Sequence, residues 1–189
     1  METITALYDA CTLYPAPLRD FLVRLAMTDT FYARWTDQIH EEWIRNVLAN
    51  RPDLTRVQLE RTRHMMNIHI RDCLVTGYEP LIEKLNLPDP GDRHVLAAAI
   101  RAEANVIVTF NLTDFPADRL GPYGIKAMHP DNFIAHLFDL SPNAVCAAAK
   151  RHRGSLHNPP KTVEEYLDNL AKQQLPKTVA RLMPFAHVL

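Results

Sequence analysis

The sequence is poor in the residues that would reveal its chemistry by inspection. Only five glycines occur in 189 residues. None forms a phosphate-cradling loop, so the nucleotide-fold fingerprints are excluded. Three cysteines, Cys11, Cys73 and Cys146, are odd in number and far apart. Neither a disulfide framework nor a zinc spacing follows, and a reducing cytoplasm is the expected compartment. The nine histidines include no HxxxH pair, so a helical zinc site is not expected. No stretch approaches the roughly 20 apolar residues of a membrane span. The N-terminal METITALYDAC has neither a basic head nor a long apolar core, so no signal peptide is expected. Charge of one sign is missing too. A net charge of −1 excludes a broadly basic nucleic-acid coat and leaves any polyanion to local basic patches.

What is present suits a folded domain. Apolar residues make up 47% and charged residues 23%, a balance typical of soluble globular chains. Ile4 to Tyr8 reads as a short buried strand ended by Asp9. Leu18, Phe21, Leu22 and Leu25 recur at helical spacing from Pro17 to about Met27. Thr36 or Asp37 can cap the next helix, which carries Ile39, Trp43, Ile44, Val47 and Leu48 and stops at Pro52. A polar, basic helix is expected from about Thr55 to Cys73. The segment DPGD opens another, with Asp89 at the cap and Asp92 in the first turn. Val106 to Val108 is a β-branched strand, Lys126 to His129 an edge strand, and Asp131 to Leu140 a further helix. After Ser141-Pro142 only helical signals remain: Asn143 to Arg153, a turn at Asn158-Pro159-Pro160, Val163 to Gln174, and Pro176 to about Phe185. The expected division is therefore a catalytic domain over 1–140 and a helical extension over 141–189. Alternating helices and strands imply an α/β fold with a central parallel sheet covered on both faces. Reactive groups in such sheets gather beyond the carboxyl ends of the strands.

Four acidic stretches lie where such a fold places reactive side chains: Asp9, Glu42, Asp92 and the pair Asn111/Asp114. Each has an ordinary reading by itself. Asp9, Asn111 and Asp114 can hold turns, Asp92 suits the first turn of a helix dipole, and Glu42 can be a solvated helix acid. Glu41 competes with Glu42, but at ~100° per residue Glu42 borders the Ile39–Trp43–Val47 stripe more closely. Asp92 shares a register with Leu96 and Ala99 and so faces inward. Several inward acids at strand ends would repel one another. A hard divalent cation held by oxygens resolves that conflict, and such a cation beside a phosphodiester is the chemistry of a nuclease.

The pieces YDACTLYP, HEEWIRNVL, DPGDRHVLAAAI and VIVTFNLTDFP resemble the four motif blocks of PIN-domain ribonucleases, in particular VapC-like toxins of toxin–antitoxin systems. The resemblance covers roughly residues 1 to 135. It implies a PIN-like three-layer fold and an endoribonuclease using Mg²⁺ or Mn²⁺. Asp9 and Asp92 would hold the ion, with Asp114 or Asn111 helping directly or through water. Glu42 would complete the shell or orient the water. In-line attack by an activated water would leave a 5′-phosphate. It also implies RNA (a transfer RNA) as substrate, a cognate antitoxin as partner, and a homodimer. Two features depart from the family pattern. Asn111 stands where many members have an acid, and Asp9-Ala10-Cys11 replaces Asp-Thr-Asn. The second removes a hydrogen-bonding neighbour of the first acid, for which Thr12 is the candidate substitute.

Basic residues cluster at Arg56, Arg61 and Arg63 and in the run Lys150, Arg151, His152, Arg153. Either cluster could hold RNA phosphates, or simply form a solvated face. Cys11 reads as a small buried thiol rather than a nucleophile. A magnesium phosphatase of the haloacid-dehalogenase type would want an aspartate where Cys11 stands. A non-catalytic, degenerate PIN-like module gripping RNA or protein is the other alternative.

Overall fold

The computed structural model describes residues 3–189. Four strands form one parallel sheet in the order β2-β1-β3-β4: β1 (Thr5–Tyr8), β2 (Tyr32–Arg34), β3 (Val106–Val108) and β4 (Lys126–Met128). The central strands are the apolar ones. Ala6, Leu7 and Tyr8 of β1 and the Val-Ile-Val of β3 are all buried, as expected of parallel strands covered on both faces. The edge strands carry the polar residues, with Tyr32 and Lys126 exposed. The α/β class with a helix-flanked parallel sheet is therefore the observed one.

The chain divides into two compact units. The first joins the residues up to Tyr14 to Phe31–His129, and the second joins Pro15–Thr30 to Pro130–Leu189. The sequence-based boundary at 140/141 falls inside the second unit, and Pro15–Thr30 groups with the C-terminal helices.

In the first unit, α1 (Ala10–Leu13) follows β1 directly. The helix α2 (Ala16–Ala26) belongs to the second unit. The helix α3 (Asp37–Asn50) starts at Thr36, whose hydroxyl accepts the Ile39 N–H at 3.0 Å. Thr55 and Gln58 form a reciprocal capping box at the start of α4 (Arg56–His69). A short α5 (Glu79–Ile82) precedes a 3₁₀ turn over Pro90–Asp92, which leads into α6 (Arg93–Arg101). Asp89 accepts the Gly91 N–H at 2.7 Å, the capping role its position in DPGD suggests. A one-turn α7 (Ala117–Leu120) leads to β4.

Two features of this unit correct the sequence reading. The strand β2 was not anticipated, because FYARW is short and carries an arginine. Its pairing with β1, Thr5 opposite Tyr32, supplies what local pattern did not. The basic helix ends at His69 rather than Cys73. Asp72 adopts φ +52, and the main chain pairs with Trp35 instead: Trp35 N–H to Cys73 C=O and Val75 N–H to Trp35 C=O, both 2.9 Å.

A buried polar chain locks α3 to α4. Trp43 Nε1 donates to His40 Nδ1 at 3.0 Å, which leaves the proton of His40 on Nε2 for Asn67 Oδ1, also at 3.0 Å. Trp35 Nε1 donates to the same Asn67 oxygen at 2.8 Å.

The second unit is helical: α2 with α8 (Pro130–Leu140), α9 (Pro142–Gly154), α10 (Val163–Lys172) and α11 (Pro176–Leu182). His152 of α9 stacks on Phe21 of α2 and meets Tyr166 of α10 through Nδ1 at 3.1 Å. Burial pushes its imidazole down to about 4, so it packs as a neutral ring near pH 7. Asp131 of α8 is buried and caps α11 from across the unit. Its carboxylate accepts the Lys177 N–H at 2.9 Å and the Thr178 N–H and hydroxyl, both at 2.8 Å.

Asp131→Ala strands those donors in a dry environment, and a loss of about 2–3 kcal/mol of unfolding free energy is expected. Urea denaturation checks this; a variant as stable as the parent would contradict the capping role.

Candidate active site

Strand register builds the site. Tyr8 lies opposite Val108, and the Asp9 N–H continues the ladder to the Val108 carbonyl at 3.1 Å. The next residues out of β1 and β3, Asp9 and Thr109, are therefore side by side. The Thr109 hydroxyl donates to Asp9 Oδ2 at 2.7 Å and accepts the Asn111 N–H at 2.9 Å. The Cys11 thiol donates to the same Oδ2 at 3.1 Å, while its sulfur accepts the Phe110 N–H at 3.3 Å. Asp9 is only 4% exposed, and these two donors hold its carboxylate in one orientation.

This corrects the expectation for Thr12. Its hydroxyl turns back to the Asp9 main-chain carbonyl at 2.8 Å, closing the turn into α1, and does not support the carboxylate. Cys11 and Thr109 do that instead. Burial, and then the charge of Asp9, pushes the Cys11 thiol up to about 12. It stays protonated at neutral pH and acts as a donor, not a nucleophile.

Asp92 ends the 3₁₀ turn before α6 and is half-buried. Its carboxyl is pushed up to about 7, first by burial and then by the negative charges of Asp9, Asp89 and Asp114. Asp9, Asp92 and Asp114 thus share one electrostatic neighbourhood, although they enter from β1, from the start of α6 and from the turn Leu112–Asp114 after β3. Asn111 opens that last turn and is exposed.

The two glutamates of α3 are sorted by their partners. Glu41 is taken by Arg56 and by Arg63, at 3.2 Å to the latter. Glu42 is instead met by His94 of α6, Nε2 to Oε1 at 2.9 Å. His94 itself lies close enough to Asp92 to act electrostatically on its carboxyl. Glu42 therefore connects to the acidic cluster through His94.

The basic candidates fall apart into separate roles. Arg63 is held by Asp37, Glu41 and Glu60, and Arg56 by Glu41 and Glu60. Arg61 is exposed. Lys150, Arg151 and Arg153 lie on α9 in the second unit. Lys150 and Arg151 are exposed, whereas Arg153 donates to the carbonyls of Lys161 and Leu189 at 2.8 and 3.0 Å, a structural tie.

His94 and Thr109 escaped the sequence reading. Thr109 was detectable as the residue leaving β3 at the position equivalent to Asp9 leaving β1. His94 was detectable as an imidazole in the register of Ala98 on an otherwise apolar helix face.

Among the described residues, no three His, Cys, Asp or Glu side chains already form a closed coordinating group. The donor set nevertheless fits a hard divalent cation. It offers carboxylate oxygens, one rigidly held at Asp9 and one at Asp92 whose ionisation is penalised by its neighbours. A bound cation relieves that penalty.

The family model described as a PIN domain matches residues 5–113. The model described as the VapC50 C-terminal domain matches residues 130–184. The chain is 44% identical over 110 residues to "Putative ribonuclease VapC50" of Mycobacterium tuberculosis (strain ATCC 25618 / H37Rv). That alignment covers 57% of this chain and 64% of the relative, so the chain spans less than two thirds of the relative's length. No solved structure matches the chain.

The raised Asp92 carboxyl makes stability depend on pH. Its value is near 4 in the unfolded chain and about 7 in the fold, so the folded state binds the proton more tightly. The associated stabilisation is complete below about pH 4 and is lost as pH rises through about 7. In chelator, Asp92→Asn should match the parent melting temperature near pH 4, exceed it increasingly up to about pH 7, and keep a constant advantage above that. A difference that does not vary with pH would contradict the shared charge.

Proposed function

The chain belongs to the PIN-domain family, and from that premise we propose that it is a divalent-metal-dependent endoribonuclease, the toxin of a toxin–antitoxin pair. The observation that carries this reading is the shared negative field of Asp9, Asp92 and Asp114 at the carboxyl ends of β1 and β3. The similarity to a protein named a ribonuclease supports the reaction class.

In this reading Asp9 and Asp92 hold Mg²⁺ or Mn²⁺, with Asp114 or Asn111 completing the oxygen set and Glu42 at its border. When bound, such an ion offsets carboxylate charge, lowers the pKa of water towards neutrality and stabilises charge on phosphoryl oxygens. The chain's own residues do the positioning. Thr109 and Cys11 fix Asp9 Oδ2. Asp92, whose carboxyl is raised by burial and by the charges of Asp9, Asp89 and Asp114, would be ionised when it holds a cation that offsets those charges. Hydrolysis of the RNA phosphodiester then leaves a 5′-phosphate.

Among the arginines, Arg61 is the proposed phosphate contact on α4, because Arg56 and Arg63 would first have to release Glu41 and Glu60. Lys150 and Arg151 are proposed as a second basic patch. A transfer RNA is the proposed substrate class and a cognate antitoxin the proposed partner. A cytoplasmic homodimer is the proposed state. No helix among the described residues is long and apolar enough to cross a membrane.

Cleavage of a mixed RNA substrate by the purified protein tests the reading. Activity is expected with Mg²⁺ or Mn²⁺ and not with EDTA. Asp9→Asn or Asp92→Asn should lower kcat by more than about a hundredfold with the fold intact. Folded Asp92→Asn cleaving like the parent would contradict the assignment, and absence of cleavage by the parent would favour a non-catalytic binding module.

A further inference from the structure

We infer that His94 is a positioning residue for Glu42, its Nε2–H fixing one carboxylate oxygen and so setting where the other is presented. This deepens the metal-dependent reading above and rests on it.

The geometry is specific. Glu42 is partly buried on α3, and His94 is 3% exposed in the first turn of α6. Their contact is 2.9 Å. A carboxylate oxygen only accepts, so the nitrogen facing it carries a proton whatever the charge of the ring. The other nitrogen, Nδ1, is buried and has no hydrogen-bond partner. The interaction with Glu42 is thus the polar contact that orients this imidazole.

What distinguishes His94 is that its one satisfied nitrogen faces a carboxylate across two helices. His94 sits among Val95, Ala97 and Ala98 on the buried face of α6. An apolar residue there would fill space without leaving a dry, unpartnered nitrogen, which is unfavourable. The imidazole meets Glu42, the glutamate of α3 that pairs with His94 rather than with the arginines of α4. Glu41, one residue earlier, shows the contrast: Arg56 and Arg63 hold it by both of its oxygens. Glu42 is held by one oxygen, Oε1. A glutamate fixed before its ligand arrives loses less side-chain freedom on binding.

The pair His94→Gln and His94→Asn tests this in the full chain. The glutamine amide nitrogen reaches about as far as Nε2, whereas the asparagine nitrogen stops near the place of Nδ1. A space-filling or general polar role would respond to both alike. The readout is Mn²⁺ affinity without RNA, from the spectroscopic signal of the free ion, with circular dichroism confirming the fold of each variant. His94→Asn and Glu42→Gln are each expected to weaken Mn²⁺ binding about 10–100-fold, and His94→Gln to stay close to the parent. The double variant Glu42→Gln/His94→Asn should bind no more weakly than Glu42→Gln alone, because the two residues act as one unit. Equal losses in Gln and Asn, unchanged binding in Asn, or additive losses in the double variant would overturn the inference. If Glu42→Gln binds like the parent while Asp92→Asn does not, the inference falls and the metal-centre reading stands. If the parent itself takes up no Mn²⁺, that reading falls and the inference with it.

Discussion

Parallel pairing of β1 with β3 is the constraint on which the site depends. It sets Tyr8 opposite Val108 and so delivers Asp9 and Thr109, 100 positions apart in sequence, to the same end of the sheet. The start of α6 and the turn after β3 then bring Asp92 and Asp114 into range of Asp9's charge. Gathering like charges in partly buried surroundings opposes folding. The opposition is visible in the Asp92 carboxyl, pushed up to about 7. In the proposed reading, a divalent cation held at this end of the sheet offsets that charge.

The acids of the chain are separated by what donates to them. Glu41 is spent on two arginines, and Asp131, in the second unit, on the start of α11. These are structural acids, saturated by main-chain or guanidinium donors. Asp9 and Glu42 are different. Each is anchored through one oxygen by a side chain that itself sits at a strand end or in a helix's first turn. One-sided anchoring fixes orientation and leaves a second oxygen for a ligand. The thiol of Cys11 shares this task, and its protonated state follows from its burial beside Asp9.

Much of this was legible in the chain. Apolar runs located β1 and β3, and DPGD located the entry to α6. Local pattern failed where partners decided the outcome. The three residues of β2 become a strand only because β1 offers an edge. Residues 70–75 leave the helical pattern because the main chain of Trp35 bonds to them. Arg56 and Arg63 looked like free cations, but their charge is largely used by acids of α3 and α4. Thr12 looked like the support of Asp9 because it is near in sequence, whereas the actual support, Thr109, comes from the neighbouring strand. Contacts between distant segments are what a single sequence conveys least.

The most direct measurement of the central claim is anomalous diffraction from crystals soaked in Mn²⁺. The expected result is a single strong peak within coordination distance of both Asp9 and Asp92 carboxylates. A peak confined to other surface acids, or none at this strand end under saturating Mn²⁺, would contradict it.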